Sequence, residues 1–180
     1  MSRSRLRAVG GGLGFVLVGG PTIVAGIVPW LLTRWHADDQ STGLKLLGGV
    51  LLAAGLVLVL EPTARFALQG RGTPAPWAPP ERFVARGSYR FTRNPMYVGV
   101  LALIVGQALV LGREVLLAWA AAAWLIFQLF LLLHEEPELR RRFGAEYEDY
   151  RAGVPRWLPI APRSPRYSRR RRGRRAHRSR

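Results

Sequence analysis

Two short stretches place side chains able to bind charge beside apolar runs. The first is RFTRNPMYVGV, residues 90–100, where Arg93, Asn94 and Tyr97 stand at the doorstep of a hydrophobic segment. Pro95 suits the first turn of a helix, because its missing N–H is unpaired there anyway. Asn94, just before it, suits the N-cap position. An arginine next to a helix N-terminus offers N–H donors and positive charge to an anionic ligand group. The same residues also read as an ordinary helix start with a positive-inside arginine. The second stretch is His134-Glu135-Glu136, which directly follows Leu131, Leu132 and Leu133. Carboxylates at a membrane boundary are costly to dehydrate and are expected to have a partner or a task. One reading is a solvated turn in which Glu136 pairs with Arg140, four residues on. The other is a pair that binds ribose hydroxyls, an ammonium or a sulfonium.

The elements that must position these residues are apolar helices. Four hydrophobic stretches appear, Ala8–Leu32, Leu44–Leu60, Tyr97–Leu111 and Val115–Leu133. A spanning helix needs about 20 apolar residues. The first, second and fourth reach that range. The third is short, and spans only if it extends through Asn94 or Gly112. A turn of about three residues joins the third and fourth stretches, which makes them antiparallel neighbours. Arg93–Tyr97 and Glu135–Glu136 then fall at the same end, facing each other beside lipid.

The chain of 180 residues is nearly half hydrophobic, yet its net charge is +16. That segregation of apolar and basic residues is how membrane proteins look. The absence of cysteine excludes disulfides, thiolate metal sites and cysteine nucleophiles. His36, His134 and His177 have no metal-ligand spacing, so no metal site is expected. Ser88 has no histidine close in sequence, and no glycine-rich phosphate loop is present. The first stretch, preceded by Arg3, Arg5 and Arg7, is long for a cleaved signal and lacks a small-residue cleavage site. Positive segments alternate with neutral or acidic ones, as four spans with both termini in the cytosol require. The glycines Gly10, Gly14, Gly48, Gly49 and Gly55 suit close helix packing. The proline-rich loop between the second and third stretches is expected to run extended over the membrane face, with Trp77 and Phe83 at the interface. After the fourth stretch, Glu135–Phe143 reads as a helix kinked at Pro137 and stopped at Gly144. Ala145–Ala152 reads as a second, with Tyr147 and Tyr150 on one face. The tail from Arg163 holds ten arginines in 18 residues and is expected to be disordered. Its partners are expected to be anionic lipid headgroups rather than nucleic acid, since only Tyr167 could stack on a base. The fold class is therefore all-α and polytopic. Residues 1–61 hold two spans, 62–160 a core of loop, hairpin and C-terminal lid, and 161–180 the basic tail.

GSYRFTRNPMYVGV, then a short hairpin, then EEPELRRRFGAEYEDYRAGVPRWLP, resembles the isoprenylcysteine carboxyl methyltransferase family, itself similar to the phospholipid N-methyltransferases. The shared pattern is Gly-x-Tyr, Arg-(His or Asn)-Pro-x-Tyr-x-Gly, Glu-Glu, Phe-Gly-x-x-Tyr-x-x-Tyr and Val-Pro-x-x-x-Pro. It covers roughly Phe83 to Pro159. The resemblance implies an S-adenosylmethionine-dependent methyltransferase working at the cytosolic membrane face on a lipophilic or small acceptor: a carboxylate, thiol or lipid amine. The membrane is expected to be a bacterial inner membrane. The resemblance also implies that Gly87, Tyr89, Arg93, Asn94, Pro95, Tyr97 and Gly99 form one wall of the cofactor site and Glu135 and Glu136 another, with Tyr147 and Tyr150 closing it. Arg93, Asn94, Glu135 and Glu136 would act at the reaction centre. Asn94 departs from the histidine of many relatives and cannot titrate near neutrality. Two other classes fit the same elements: a non-catalytic membrane protein used for binding or assembly, and a sterol-reductase-like oxidoreductase, which would need a nicotinamide cofactor and more spans.

Overall fold

The computed structural model describes residues 19–69 and 87–158, with side chains described except over 65–69. The start of the first apolar stretch, the proline-rich loop and the basic tail lie outside the described residues. Within them the chain forms five helices and no strand: α1 Gly20–Thr33, α2 Thr42–Gln69, α3 Pro95–Leu111, α4 Val115–Phe143 and α5 Ala145–Gly153. A 3₁₀ turn, Gly87–Arg90, precedes α3.

α2 over Thr42–Ala64 and α4 over Val115–Phe143 are long and apolar enough to cross a bilayer. α3, at 17 residues, reaches about 25 Å at about 1.5 Å per residue. α1 is shorter still within the described residues. The sequence expectation of four spans thus meets two helices of full length and two short apolar ones. The outward faces carry large side chains: Leu46, Leu47, Val50 and Val57 on α2, and Leu125, Ile126, Leu129 and Leu133 on α4, are all exposed. The interior is built instead from Gly99, Gly106, Ala108, Ala120 and Ala123, with Val59, Val100, Ile104 and Leu116. Small inside and large outside is the packing of helices whose surroundings are lipid.

α2 and α3 run antiparallel and form the most extensive contact. Their seam is made by glycines a heptad apart on each helix. A Cβ built on Gly48 would lie 2.8 Å from the Gly106 carbonyl oxygen, and one on Gly55 2.7 Å from that of Gly99. Gly49, one residue off this stripe, meets nothing within 4 Å.

Two prolines shape the other helices by the same device. In α1 a wide π-turn over Ile23–Ile27 ends two residues before Pro29, and in α4 another over Leu131–Glu135 ends two residues before Pro137. A proline ring crowds the carbonyl one turn back and offers no N–H, and widening the turn relieves the crowding. Pro29 offers no N–H to the carbonyls one turn back, those of Val24 and Ala25. Trp119 Nε1–H donates to the Val24 carbonyl at 2.9 Å, and Gln107 Nε2–H to that of Ala25 at 2.8 Å. Neighbouring helices re-satisfy the freed backbone, as apolar surroundings demand. The kink expected at Pro137 is absorbed in this way, so that the fourth apolar stretch and the helix after it are one continuous α4.

The ends of the bundle are polar. At one end the loop after α1 meets the α3–α4 turn: the Asp38 N–H donates to Leu111 O at 2.8 Å, and Arg113 pairs with Asp38 at 3.2 Å. Gly112 there has φ +68°, and Gln40 leaves no room for a Cβ. At the opposite end lie the 3₁₀ turn, the head of α3, the acidic end of α4 and α5. Gly144, φ +48°, lets the chain turn from α4 into α5. α5 packs Tyr147, Tyr150 and Val154 against Leu139 and Phe143.

Candidate active site

The head of α3 sets the site. Pro95 occupies the first helical turn and Asn94 the cap position, as expected, but the Asn94 side chain makes no cap bond. Its Nδ2–H donates instead to the carbonyl of Arg156 at 3.2 Å, which also accepts from Thr92 Oγ1–H at 2.9 Å. The Arg93 N–H donates to Pro155 O at 2.9 Å. The residues just before α3 are thus tied to the segment that follows α5.

The end of α4 supplies the carboxylates. Glu136 is 6 % exposed. Its Oε1 accepts from Arg93 Nη1 at 3.2 Å and from Arg156 Nε at 2.9 Å and Nη2 at 2.8 Å. The alternative in which Glu136 is solvated and paired with Arg140 does not hold, because Arg140 pairs with Glu148 at 3.0 Å. Glu135 is a different case. Its Oε2 accepts from the Tyr97 hydroxyl at 3.1 Å, and among the described residues no cation lies within ion-pair distance of it. The Tyr97 ring stacks on Phe127 with centroids 4.6 Å apart.

Tyrosines close the cluster. Arg93 Nη1 also donates to the Tyr147 hydroxyl at 3.4 Å, and the Tyr150 hydroxyl donates to Tyr89 O at 2.7 Å. Burial pushes the Tyr147 phenol up, with the Glu136 charge adding to it and Arg93 opposing. Burial likewise raises Tyr89, helped by the charges of Glu135 and Glu61. Both phenols therefore stay protonated donors at neutral pH. Ser88, behind Tyr89, donates to Glu61 Oε2 at 2.6 Å.

Arg93, Asn94, Pro95, Tyr97, Glu135, Glu136, Tyr89, Tyr147 and Tyr150 are thus brought to one end of the bundle, with Gly87 (φ +63°) opening the adjoining 3₁₀ turn. Gly99 is placed elsewhere, in the α2–α3 seam, where a Cβ would meet Gly55 O at 2.8 Å. Sequence reasoning missed Arg156, Thr92 and Glu61. Arg156 stood as a variable position in the closing Val-Pro-x-x-x-Pro pattern, and nothing local signals that the chain folds back there.

The arrangement is that of a helical, membrane-type protein with its polar site at one end of an apolar bundle. A family model described as phospholipid methyltransferase matches residues 44–146, and the chain belongs to that family. Over 80 residues it is 35% identical to the protein-S-isoprenylcysteine O-methyltransferase of Schizosaccharomyces pombe. That similarity covers 44% of this chain and 34% of the yeast protein, so the matched part is about a third of the relative's length. No solved structure matches the chain.

Proposed function

We propose that the protein is an integral membrane methyltransferase that uses S-adenosylmethionine and acts on a lipophilic or small acceptor at the cytosolic membrane face. One observation carries this reading: the end of α4 holds two carboxylates in opposite electrostatic states. Glu136 is over-neutralised by Arg93 and Arg156, while among the described residues Glu135 has only a phenol for a partner. A half-buried carboxylate with no cation beside it among the described residues is costly and is best explained by a cationic ligand group. The buried Arg93 Nε–H, which has no acceptor among the described residues, is the complementary signal for an anionic group. A zwitterionic amino acid that also bears a sulfonium satisfies both.

Arg93 would hold the cofactor's carboxylate, and Glu135 its ammonium or the positive field near the sulfonium. The Tyr97–Phe127 ring pair beside Glu135 suits a sulfonium as well. When bound, the cofactor supplies the activated methyl group. The residues of this chain would position it and exclude water, and a dry site favours a transfer in which an anionic acceptor takes the methyl, the S–CH3 bond breaks to leave a neutral thioether, and the two charges cancel. An acceptor carboxylate is already ionised at neutral pH and needs no base. Asn94 cannot serve as one, which favours a carboxylate or thiol over an amine. The apolar outer faces of α2 and α4 let an acceptor approach from the bilayer.

The positive-inside pattern supports cytosolic termini, with the basic tail on anionic headgroups of a bacterial inner membrane. The test is calorimetry of S-adenosylhomocysteine binding to the purified chain in detergent, followed by labelled S-adenosylmethionine with a membrane extract. Binding and a labelled lipophilic product are expected; no binding and no product would remove the proposal.

A further inference from the structure

We propose that Arg156 is a positioning residue of the donor site, delivered by a latch formed by residues 154–157; this rests on the reading that the site binds S-adenosylmethionine. After α5 the chain becomes extended at Val154 (φ −124°, ψ 126°) and turns back toward α3. Pro155 O and Arg156 O accept three bonds from the head of α3, given by the Arg93 N–H, Thr92 Oγ1 and Asn94 Nδ2. Trp157 then bonds to the other helix of the site: its Nε1–H donates to Gln128 Oε1 at 2.9 Å, and its ring tilts against Trp124 with centroids 6.1 Å apart. The latch therefore grips α3 by its backbone and α4 by its side chains.

Arg156 is what the latch carries inward. Its Nε and Nη2 reach the same Glu136 oxygen as Arg93 Nη1. With Arg156 in place the three groups hold a net positive charge; with the latch lifted, Glu136 and Arg93 cancel. The latch thus creates the polarity of the site, with a positive pole at the arginine pair and a negative one at Glu135. Those poles match the two ends of the donor's amino-acid part. The Arg156 side chain is 21% exposed against 11% for Arg93, which makes it the outer member, the one able to part from Glu136. Asn94 gains a role in the same scheme: its amide holds the Arg156 carbonyl, a task that needs a donor and not a titrating group.

The experiment uses the full chain in detergent micelles. Arg156→Gln is expected to weaken S-adenosylhomocysteine binding by about tenfold, the size of a charge-assisted bond. It should raise KM for the donor more than it lowers kcat, and Arg156→Lys should recover most of that loss. In a Glu136→Gln background, Arg156→Gln should add no further loss. Wild-type affinity in Arg156→Gln, or a Lys variant as weak as the Gln variant, overturns the proposal. Hydrogen exchange on the unaltered protein gives a reading that no folding defect can obscure. Bound S-adenosylhomocysteine should slow exchange at the Arg93 and Val154 amides, and unchanged exchange despite binding counts against the latch. If the wild type binds no S-adenosylhomocysteine, the function itself fails; the Arg156–Glu136 coupling measured by unfolding then decides the latch alone, and its absence overturns it.

Discussion

Gly48 on α2 and Gly106 on α3 face each other so closely that neither tolerates a β-carbon: one added to either would lie within 2.9 Å of the other's carbonyl oxygen. Gly55 and Gly99 repeat the relationship one heptad along, nearer the site. The seam fixes how α3, with Arg93 and Tyr97 at its head, sits against its neighbour.

Gly55→Val should push the helices apart and cost about 1–3 kcal/mol, the usual range for overpacking. Gly49→Ala should be neutral or stabilise by roughly 0.5–1 kcal/mol, since only helix propensity changes where nothing is in contact. Thermal unfolding in detergent compares the two. Equal melting temperatures would show that the seam is not close-packed.

Glu135→Gln should separate function from stability. The amide oxygen can still accept from Tyr97, while the uncompensated charge is gone. The melting temperature should stay the same or rise, and affinity for S-adenosylhomocysteine should fall by about tenfold or more. A variant that loses stability and keeps affinity would assign Glu135 to the scaffold.

Glu136→Gln should behave in the opposite way. It strands Arg93 and Arg156 together without a counter-charge, and breaking a buried ion pair costs about 3–5 kcal/mol. Denaturant unfolding should show the drop, and the double variant Glu136→Gln with Arg156→Gln should recover part of it. No recovery would mean that the two arginines do not share Glu136.

Gln107→Leu should cost about 0.5–2 kcal/mol, because the Ala25 carbonyl loses the donor that replaces the missing Pro29 N–H. Adding Pro29→Ala restores a helical donor and should reduce that penalty. If the penalty is the same with and without Pro29, the Gln107 bond is not compensating for the proline.

Much of the fold was legible because its signals are local. Hydropathy marked α2, α3 and α4, and the three-residue turn at Gly112–Glu114 dictated their antiparallel hairpin. That hairpin alone put Arg93 and Glu136 at one end. Pro95 and Gly144 marked a helix start and a turn through backbone constraints that need no partner. Gly48 and Gly55 were recognisable as packing positions, but their counterparts were not, since register depends on which face of another helix arrives opposite.

The sequence by itself determined an apolar helical bundle with an arginine-asparagine-proline start and a Glu-Glu pair at the same end, because hydrophobic length, proline and glycine act through the chain's own backbone. Only the tertiary structure decided how the charges are shared. It gave Glu136 to Arg93 and Arg156 and left Glu135 to Tyr97. It also tied the Asn94 side chain to the Arg156 carbonyl and set Gly99 against Gly55. Ion pairs between segments 20 to 43 residues apart depend on where the chain returns, and residues 154–157 return to α3 through bonds that no local pattern encodes.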